Sequence, residues 1–151
     1  TCTAIRSLPW RCTRRHQPPE RESNMPNFCQ NTLDVIGDPV MVQEFHRRFT
    51  MYGCDVVPFS FHGFVQPPRT LAGCIDAWGT KWDVCFGSVI GEGEDYKVYY
   101  FETAWSPPVP VVHAMQREFP ELIISMTYRE EGIGFTGEVD NEGTDTTEYM
   151  Y

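Results

Sequence analysis

Residues 81–108 read KWDVCFGSVIGEGEDYKVYYFETAWSPP, and this stretch decides the fold. Its first ten residues alternate in polarity, which predicts a strand with one of its two faces packed against helices. One face carries Trp82, Val84, Phe86 and Ile90. The acidic, glycine-rich residues 91–95 are typical of a turn, and residues 96–105 are rich in the Val, Tyr, Phe and Thr that favour strands. The stretch therefore predicts a β-hairpin.

A helix is predicted on each side of this hairpin, and each begins with a proline. Asp38 can cap the first helix, with Pro39 at its first position. Its apolar residues recur at helical spacing, at Val42, Phe45 and Phe49. By the same reasoning Ser106 caps a second helix that ends at Pro120. The buried stripe of this second helix is predicted at Val109, Val112 and Phe119.

Strands are also predicted at residues 28–36, 122–129 and 133–139. The order is then strand–helix–strand–strand–helix–strand with one further strand. This order predicts an α+β protein of the ferredoxin-like (split βαβ) type, in which two helices cover one face of an antiparallel sheet and an added strand follows at the C-terminal end. Residues 53–80 are ambiguous: Phe59, Phe61, Phe64 and Val65 could supply a short strand or a packed loop. A connection of that length without regular structure is usually functional or mobile.

Charge divides the chain into three parts. Residues 1–24 hold five Arg against two Glu and lack periodicity, which predicts a disordered basic extension. Residues 25–139 form the predicted domain, and residues 140–151 an acidic flexible tail. Residues 25–151 together hold seven Lys and Arg against 19 Asp and Glu, a net charge of −12. Such a surface disfavours direct binding of nucleic acid, which depends on basic residues.

Several segments resemble the YubB-type ferredoxin-like domain of plasmid and bacteriophage proteins of unknown function. They run in the family's order: MPNFCQN at 25–31, GDP at 37–39, WGTKWD at 78–83, FETAWSPP at 101–108, FP at 119–120, and YREEG at 128–132 followed by Gly134, Phe135 and Gly137. Phe28 stands where the family usually has tryptophan, and residues 53–77 match loosely. The resemblance implies the fold and a mobile-element origin, and it implies no established chemistry.

The candidate binding residues are aromatic or charged side chains near the ends of predicted elements, since aromatic residues beside charge favour recognition. They are Trp78, Lys81, Trp82, Asp83, Glu102, Trp105, Tyr128, Glu130, Glu131 and Phe135. A purely structural interpretation is favoured for two of them, with Trp82 in the core and Trp78 as a lid over the sheet edge.

An enzyme is the alternative. The carboxylates of Asp83, Glu102, Glu130 and Glu131 could converge as an acid–base pair or hold a metal ion. The sequence lacks a nucleophile elbow, a phosphate-binding glycine loop and a Cys-x-x-Cys pair, and its histidines are scattered. We therefore assign no catalytic residue, no metal ligand and no cofactor, and we expect a function other than catalysis.

The leading hypothesis is a small accessory protein of a phage or plasmid that binds a macromolecular partner. The partner is expected to be a host or phage protein, and the sharper version is an acidic anti-defence protein that occupies a nucleic-acid groove. RNA binding on an open sheet face is disfavoured by the charge and by the lack of a basic–aromatic signature. No run of 18 apolar residues occurs and no secretory core is present, so we expect the bacterial cytoplasm and no membrane span. The sequence leaves the oligomeric state open.

Overall fold

The computed structural model describes residues 27–66 and 70–150, so the predicted basic extension at residues 1–24 lies outside the described residues. Nine helices and strands form in those ranges, with a 3-10 turn at Phe61–Gly63. In chain order they are β1 (Phe28–Ile36), α1 (Pro39–Thr50), α2 (Leu71–Trp78), β2 (Phe86–Glu92), β3 (Tyr96–Ala104), α3 (Val109–Glu118), β4 (Ile123–Glu130), β5 (Phe135–Val139) and β6 (Asp145–Tyr149).

The strands form one antiparallel sheet in the order β2-β3-β1-β4-β5-β6. Strand β1 is central, with Leu33 opposite Tyr99 of β3 on one side and opposite Met126 of β4 on the other. The first four positions in this order, joined through α1 and α3, are the split βαβ arrangement. The predicted α+β, ferredoxin-like class is therefore confirmed. Strands β5 and β6 extend the sheet beyond β4.

One face of the sheet is covered by helices. Alternate residues of β1 are fully buried, among them Leu33 and Val35. Helix α1 packs against this face, and its Phe45 ring lies 5.8 Å from Tyr99 and 5.5 Å from Phe119 between centroids. Asp38 caps α1 as predicted by accepting a hydrogen bond from the Val40 amide. The core thus joins α1, β3 and the end of α3.

Residues 53–66 belong to this core as a packed loop, one of the two structures predicted for this stretch. Val57, Phe59, Phe61 and Phe64 are buried, and the Phe59 ring stacks on Phe49 at 4.8 Å. Residues 71–78 then form α2, which the sequence did not predict. Thr70 caps this helix and Gly79 ends it with a left-handed backbone. The glycines in this stretch argued against a helix, although most of its other residues are apolar.

Strand β2 begins at Phe86, five residues later than predicted, and its opposite face packs inward. Phe86 and Ile90 are 51% and 58% exposed. Gly87 faces the core, where an added Cβ would lie 2.6 Å from the Phe59 ring. The bare glycine lets that ring lie against the strand, and a register shift between Val89 and Gly91 leaves Ile90 outside.

Helix α3 begins at Val109, and Ser106 does not cap it. Pro108 occupies the N-cap without a side-chain hydrogen bond, while the Ser106 hydroxyl donates to the Gly79 carbonyl at 2.6 Å. The absence of a side-chain cap is tolerable because Pro110, in the first turn, has no N–H to satisfy. The predicted stripe is confirmed at Val112 and Phe119, and Val109 is half-buried.

The predicted flexible tail is wrong for residues 145–149. They form β6, which pairs with β5 from Asp145 opposite Val139 to Tyr149 opposite Phe135. The Asp140 carboxylate accepts from the amides of Glu142 and Thr144 and so fixes the turn between the two strands. Across the described ranges, no helix has both the length and the apolar character needed to span a bilayer.

Candidate functional site

A groove of about 340 Å³ lies between the start of α3 and the hairpin formed by β5 and β6. It opens on the helix-covered side of the sheet, where the added strands extend past the helices. We call it the hairpin groove. It is lined by Gly79, Pro107, Val109, Pro110, Tyr128, Phe135, Asp145, Thr147 and Tyr149.

Tyr128 of β4 forms part of its lining and lies across β5. Its register partner is Gly137, where an added Cβ would come within 2.4 Å of the Tyr128 ring. The missing side chain lets the phenol reach β6, where it donates to Asp145 and lies 2.6 Å from the Thr147 hydroxyl. Burial, and then the bond to Asp145, raise the pKa of Tyr128 to about 12. The phenol is therefore a fixed donor at neutral pH.

Phe135 and Tyr149 supply two further rings. The Tyr128 and Phe135 centroids lie 6.1 Å apart at 70°, and those of Phe135 and Tyr149 lie 6.2 Å apart at 65°. Each pair is edge-to-face, so neighbouring rings direct their faces to different sides. Tyr149 is 71% exposed although it lies in a strand. The groove thus has a preformed aromatic side with one ring largely in water.

The opposite wall is built from the junction of α2, β3 and α3. Gly79 has a φ of 82°, and a Cβ there would lie 2.5 Å from Pro110 and 3.1 Å from the Pro107 carbonyl. Thr80 donates to the Ala104 carbonyl at 2.7 Å, while Ser106 donates to Gly79. These contacts hold the two prolines beside the sheet, so this wall is rigid.

The far end of the hairpin is tied to α3. His113 Nε2 lies 2.9 Å from the Gly143 carbonyl, and the Gln116 amide donates to the carbonyls of Ile124 and Asp140. These bonds fix the turn between β5 and β6 against the helix. This end of the hairpin is consequently held by contacts that do not involve the residues lining the groove.

Of the ten predicted site residues, Tyr128 and Phe135 line the groove. Glu130 is next to it, since it pairs with Phe135 in the register and points to the same face. Glu130 is fully buried; its Oε1 accepts from the Ile133 amide, and its Oε2 has no hydrogen-bond partner in the described part of the chain. Burial, and then the Glu130 charge, raise the pKa of the neighbouring Cys29 thiol to about 12.

Trp105 lies at the bend between β3 and α3, just before the prolines. Its φ is 73°, the left-handed region, which is rare for a bulky residue. Its amide donates to the Asn27 carbonyl, and Thr103 next to it donates to the Ser106 carbonyl. The bend therefore sets the position of the proline wall at some conformational cost.

The predicted binding residues Trp78, Lys81 and Trp82 lie in different environments. Trp78 ends α2, is 2% exposed and donates from Nε1 to the Val65 carbonyl, so it is part of the core and not a lid over the sheet edge. Trp82, predicted as core, is half-buried, and Lys81 Nζ lies 5.4 Å from its ring centroid. These residues do not join the hairpin groove.

Asp83 forms a buried polar cluster with Ser60 and His62. Its carboxylate accepts from the Ser60 hydroxyl at 2.6 Å and from the Phe61 and Val84 amides at 2.8 Å, and it lies 3.2 Å from His62 Nδ1. A catalytic triad needs the nucleophile and the acid on opposite nitrogens of the imidazole. Here both Ser60 and Asp83 meet Nδ1, and all three residues are at most 4% exposed. The cluster holds the loop to the start of β2.

The remaining carboxylates do not converge. Glu102 lies on the face of the sheet that the described helices leave uncovered, and it accepts from Tyr100 at 2.7 Å. Glu131, exposed in the β4–β5 turn, pairs with Arg129. Asp83 and Glu130 are buried in separate clusters. In the described ranges, no group of three or more His, Cys, Asp or Glu is placed to hold a metal ion.

Sequence reasoning misses Asp145, Thr147 and Tyr149 because it predicts a flexible tail over residues 140–151. A signal was present: DTTEY at 145–149 alternates and contains β-favouring Thr and Tyr, and the preceding Asp140 and Gly143 are typical of a turn. The prolines were assigned only to the helix start. Their role as a wall depends on Gly79, which is distant in sequence.

Residues 77–151 match a family model described as a ferredoxin-like domain in Api92-like protein. The match begins near the end of α2 and takes in β2, β3, α3 and β4–β6. All nine lining residues of the hairpin groove fall inside it, whereas β1 and α1 fall outside. No match was found among curated proteins or among solved structures.

Proposed function

We propose that this chain is a non-catalytic binding module that docks a basic segment of a partner protein at its C-terminal hairpin. The observation that carries the proposal is the charge of that hairpin beside a groove. Residues 135–149 contain five acids and no Lys or Arg: Glu138, Asp140, Glu142, Asp145 and Glu148. Complementary charge steers a basic partner toward such a surface.

The biological setting follows from the resemblance to YubB-type domains. We place the chain among accessory proteins of a bacteriophage or plasmid, acting in the cytoplasm of a bacterial host. The partner is then a host or phage protein. In the sharper form, the acidic surface takes the place of nucleic acid in a basic groove of a host defence complex, because carboxylates repeat the negative charge of phosphates.

The test is retention of partners on the full chain, immobilised and exposed to host lysate, with mass spectrometry of what is retained. A variant with E138K, E142K and E148K reverses the charge of the hairpin. A matched variant with D55K, D76K and E121K makes the same net change at other exposed acids. The proposal expects one basic protein retained by the wild type and by the matched variant, released by salt and lost from the hairpin variant.

Two results would overturn it. One is that no protein is retained. The other is that both variants lose the same partner equally, which would show a response to overall charge only. For the anti-defence form, double-stranded DNA should displace the retained protein, and a gel shift at low salt should show no DNA or RNA bound to the chain itself.

A further inference from the structure

We infer that the hairpin groove takes an arginine side chain of the partner, with the guanidinium against the rings of Phe135 and Tyr149 and paired to Asp145. This inference rests on the proposed function and names the chemistry of its contact. The reasons are the ring arrangement, the charge around it and the composition of the facing wall.

The rings expose a surface that suits a flat cation. Tyr149 is 71% exposed in the outermost strand, and Phe135 beside it is half-buried. A cation over an aromatic face gains electrostatic attraction, and a guanidinium can also stack. Because Phe135 and Tyr149 meet at 65°, a side chain entering the groove can contact the face of one ring and the edge of the other.

The carboxylate of Asp145 lies where the guanidinium of the arginine would be. Asp145 lines the groove and is held by the Tyr128 hydroxyl. That bond leaves Asp145 able to accept further hydrogen bonds, since a carboxylate has about four lone-pair sites. Asp145 therefore places a negative group in a groove whose rings favour a cation.

The facing wall carries no polar side chain. Pro107 and Pro110 lack an N–H, and Gly79 and Val109 add no polar side chain. An aliphatic stem packs well on such a wall. Arginine fits this combination better than lysine because its guanidinium is planar and less strongly hydrated, so less hydration is lost on entry.

The experiment uses blocked Gly-Arg-Gly as the probe, titrated into the ¹⁵N-labelled full chain and followed by amide chemical shifts. The expected result is saturable shifts centred on Tyr128, Gly137 and Thr147. D145N and Y149A should each weaken binding about tenfold, as the loss of a charge pair or of a ring contact would.

Matched controls lie on the other face of the sheet. E102Q removes the same charge from β3, and Y96A removes a partly exposed ring from the same strand; each should change affinity by less than about twofold. Blocked Gly-Lys-Gly should bind several-fold more weakly than the arginine peptide. Thermal unfolding of each variant confirms that it is folded.

The inference is overturned if the arginine peptide causes no saturable shifts, if E102Q weakens binding as much as D145N, if Y149A has no effect, or if the lysine peptide binds equally well. The proposed function is judged separately by the lysate experiment. A partner that is lost on charge reversal but kept by D145N and Y149A would leave the acidic docking surface standing without the arginine pocket.

Discussion

The loop at residues 53–66 and the C-terminal hairpin differ in how far their side chains are buried. The loop has little regular structure, yet it buries four apolar side chains and surrounds the Asp83 carboxylate with donors. The hairpin is regular β-structure, yet all five residues of β6 are exposed. Regular secondary structure and burial are therefore separate properties in this molecule. The loop stabilises the fold, and the hairpin presents chemistry to the solvent.

The two regions should differ most in how much the free energy of unfolding falls when an aromatic ring is removed. Phe49 is fully buried against Phe59, Tyr99 and Phe101, so Phe49→Ala should lower the free energy of unfolding by about 3–5 kcal/mol. Tyr149→Ala in the hairpin should change it by less than about 0.5 kcal/mol, as an exposed position does. Urea unfolding measures both. Equal losses would contradict the division into core and surface.

Loss of the buried acceptor tests the loop more narrowly. Asp83→Asn replaces one of the two carboxylate oxygens with a donor. Since Oδ2 accepts from Ser60 and Oδ1 from the Phe61 amide, the change breaks one of these bonds and should cost about 1–3 kcal/mol. Glu102→Gln is the control, because Glu102 has a single bond to Tyr100 on the uncovered face and should lose less. If the two variants unfold at the same urea concentration, the cluster does not fix the loop.

Gly137→Ala tests whether the hairpin depends on the close contact between Gly137 and the Tyr128 ring. The new Cβ would come within 2.4 Å of Tyr128, so we expect a loss of about 1–3 kcal/mol and displacement of the Tyr128 hydroxyl from Asp145. Gly91→Ala is the control, since a Cβ there meets Val98 at 3.4 Å. Near-ultraviolet circular dichroism and amide shifts of β6 report the change. Unchanged β6 shifts would show that Tyr128 does not hold the strand.

The smallest expected effect is the pH dependence that His46 of α1 gives to the free energy of unfolding. Burial, and then the charge of Lys97, lower the pKa of His46 from its ordinary 6.5. The unfolded chain then binds this proton more readily than the folded protein, so the free energy of unfolding should fall as the pH drops below 6.5. His46→Gln should reduce that slope between pH 7.5 and pH 5.5 in urea unfolding. An identical slope in the variant would assign the effect to other groups.

The sequence predicted the parts of the fold that depend on local pattern. Asp38-Pro39 and the spacing of Val42, Phe45 and Phe49 identified α1 because capping and amphipathic periodicity act within a few residues. The inward face of β2 could not be chosen in this way. It depends on Phe59 lying against Gly87, a contact between residues 28 positions apart.

The candidate site was predicted in part for the same reason. Tyr128 and Phe135 stand in strands recognised from sequence, whereas Asp145 and Tyr149 join them only because β6 pairs with β5. The proline wall needs Gly79 to approach Pro110 across 31 residues. Side chains that were predicted as site residues from residue type alone, such as Asp83, instead accept hydrogen bonds from nearby buried donors. Residue type marked the polar groups, and tertiary contact decided which of them remain accessible.

Strand β6 is the last strand of the sheet, so one side of its backbone has no neighbouring strand in the described part of the chain. Such a border ordinarily invites a second molecule to add on and continue the ladder. Here the strand is only five residues long and carries Asp145 and Glu148. Two copies brought border to border would oppose like charges, so molecules should stay apart even when concentrated, and added salt should weaken that mutual repulsion.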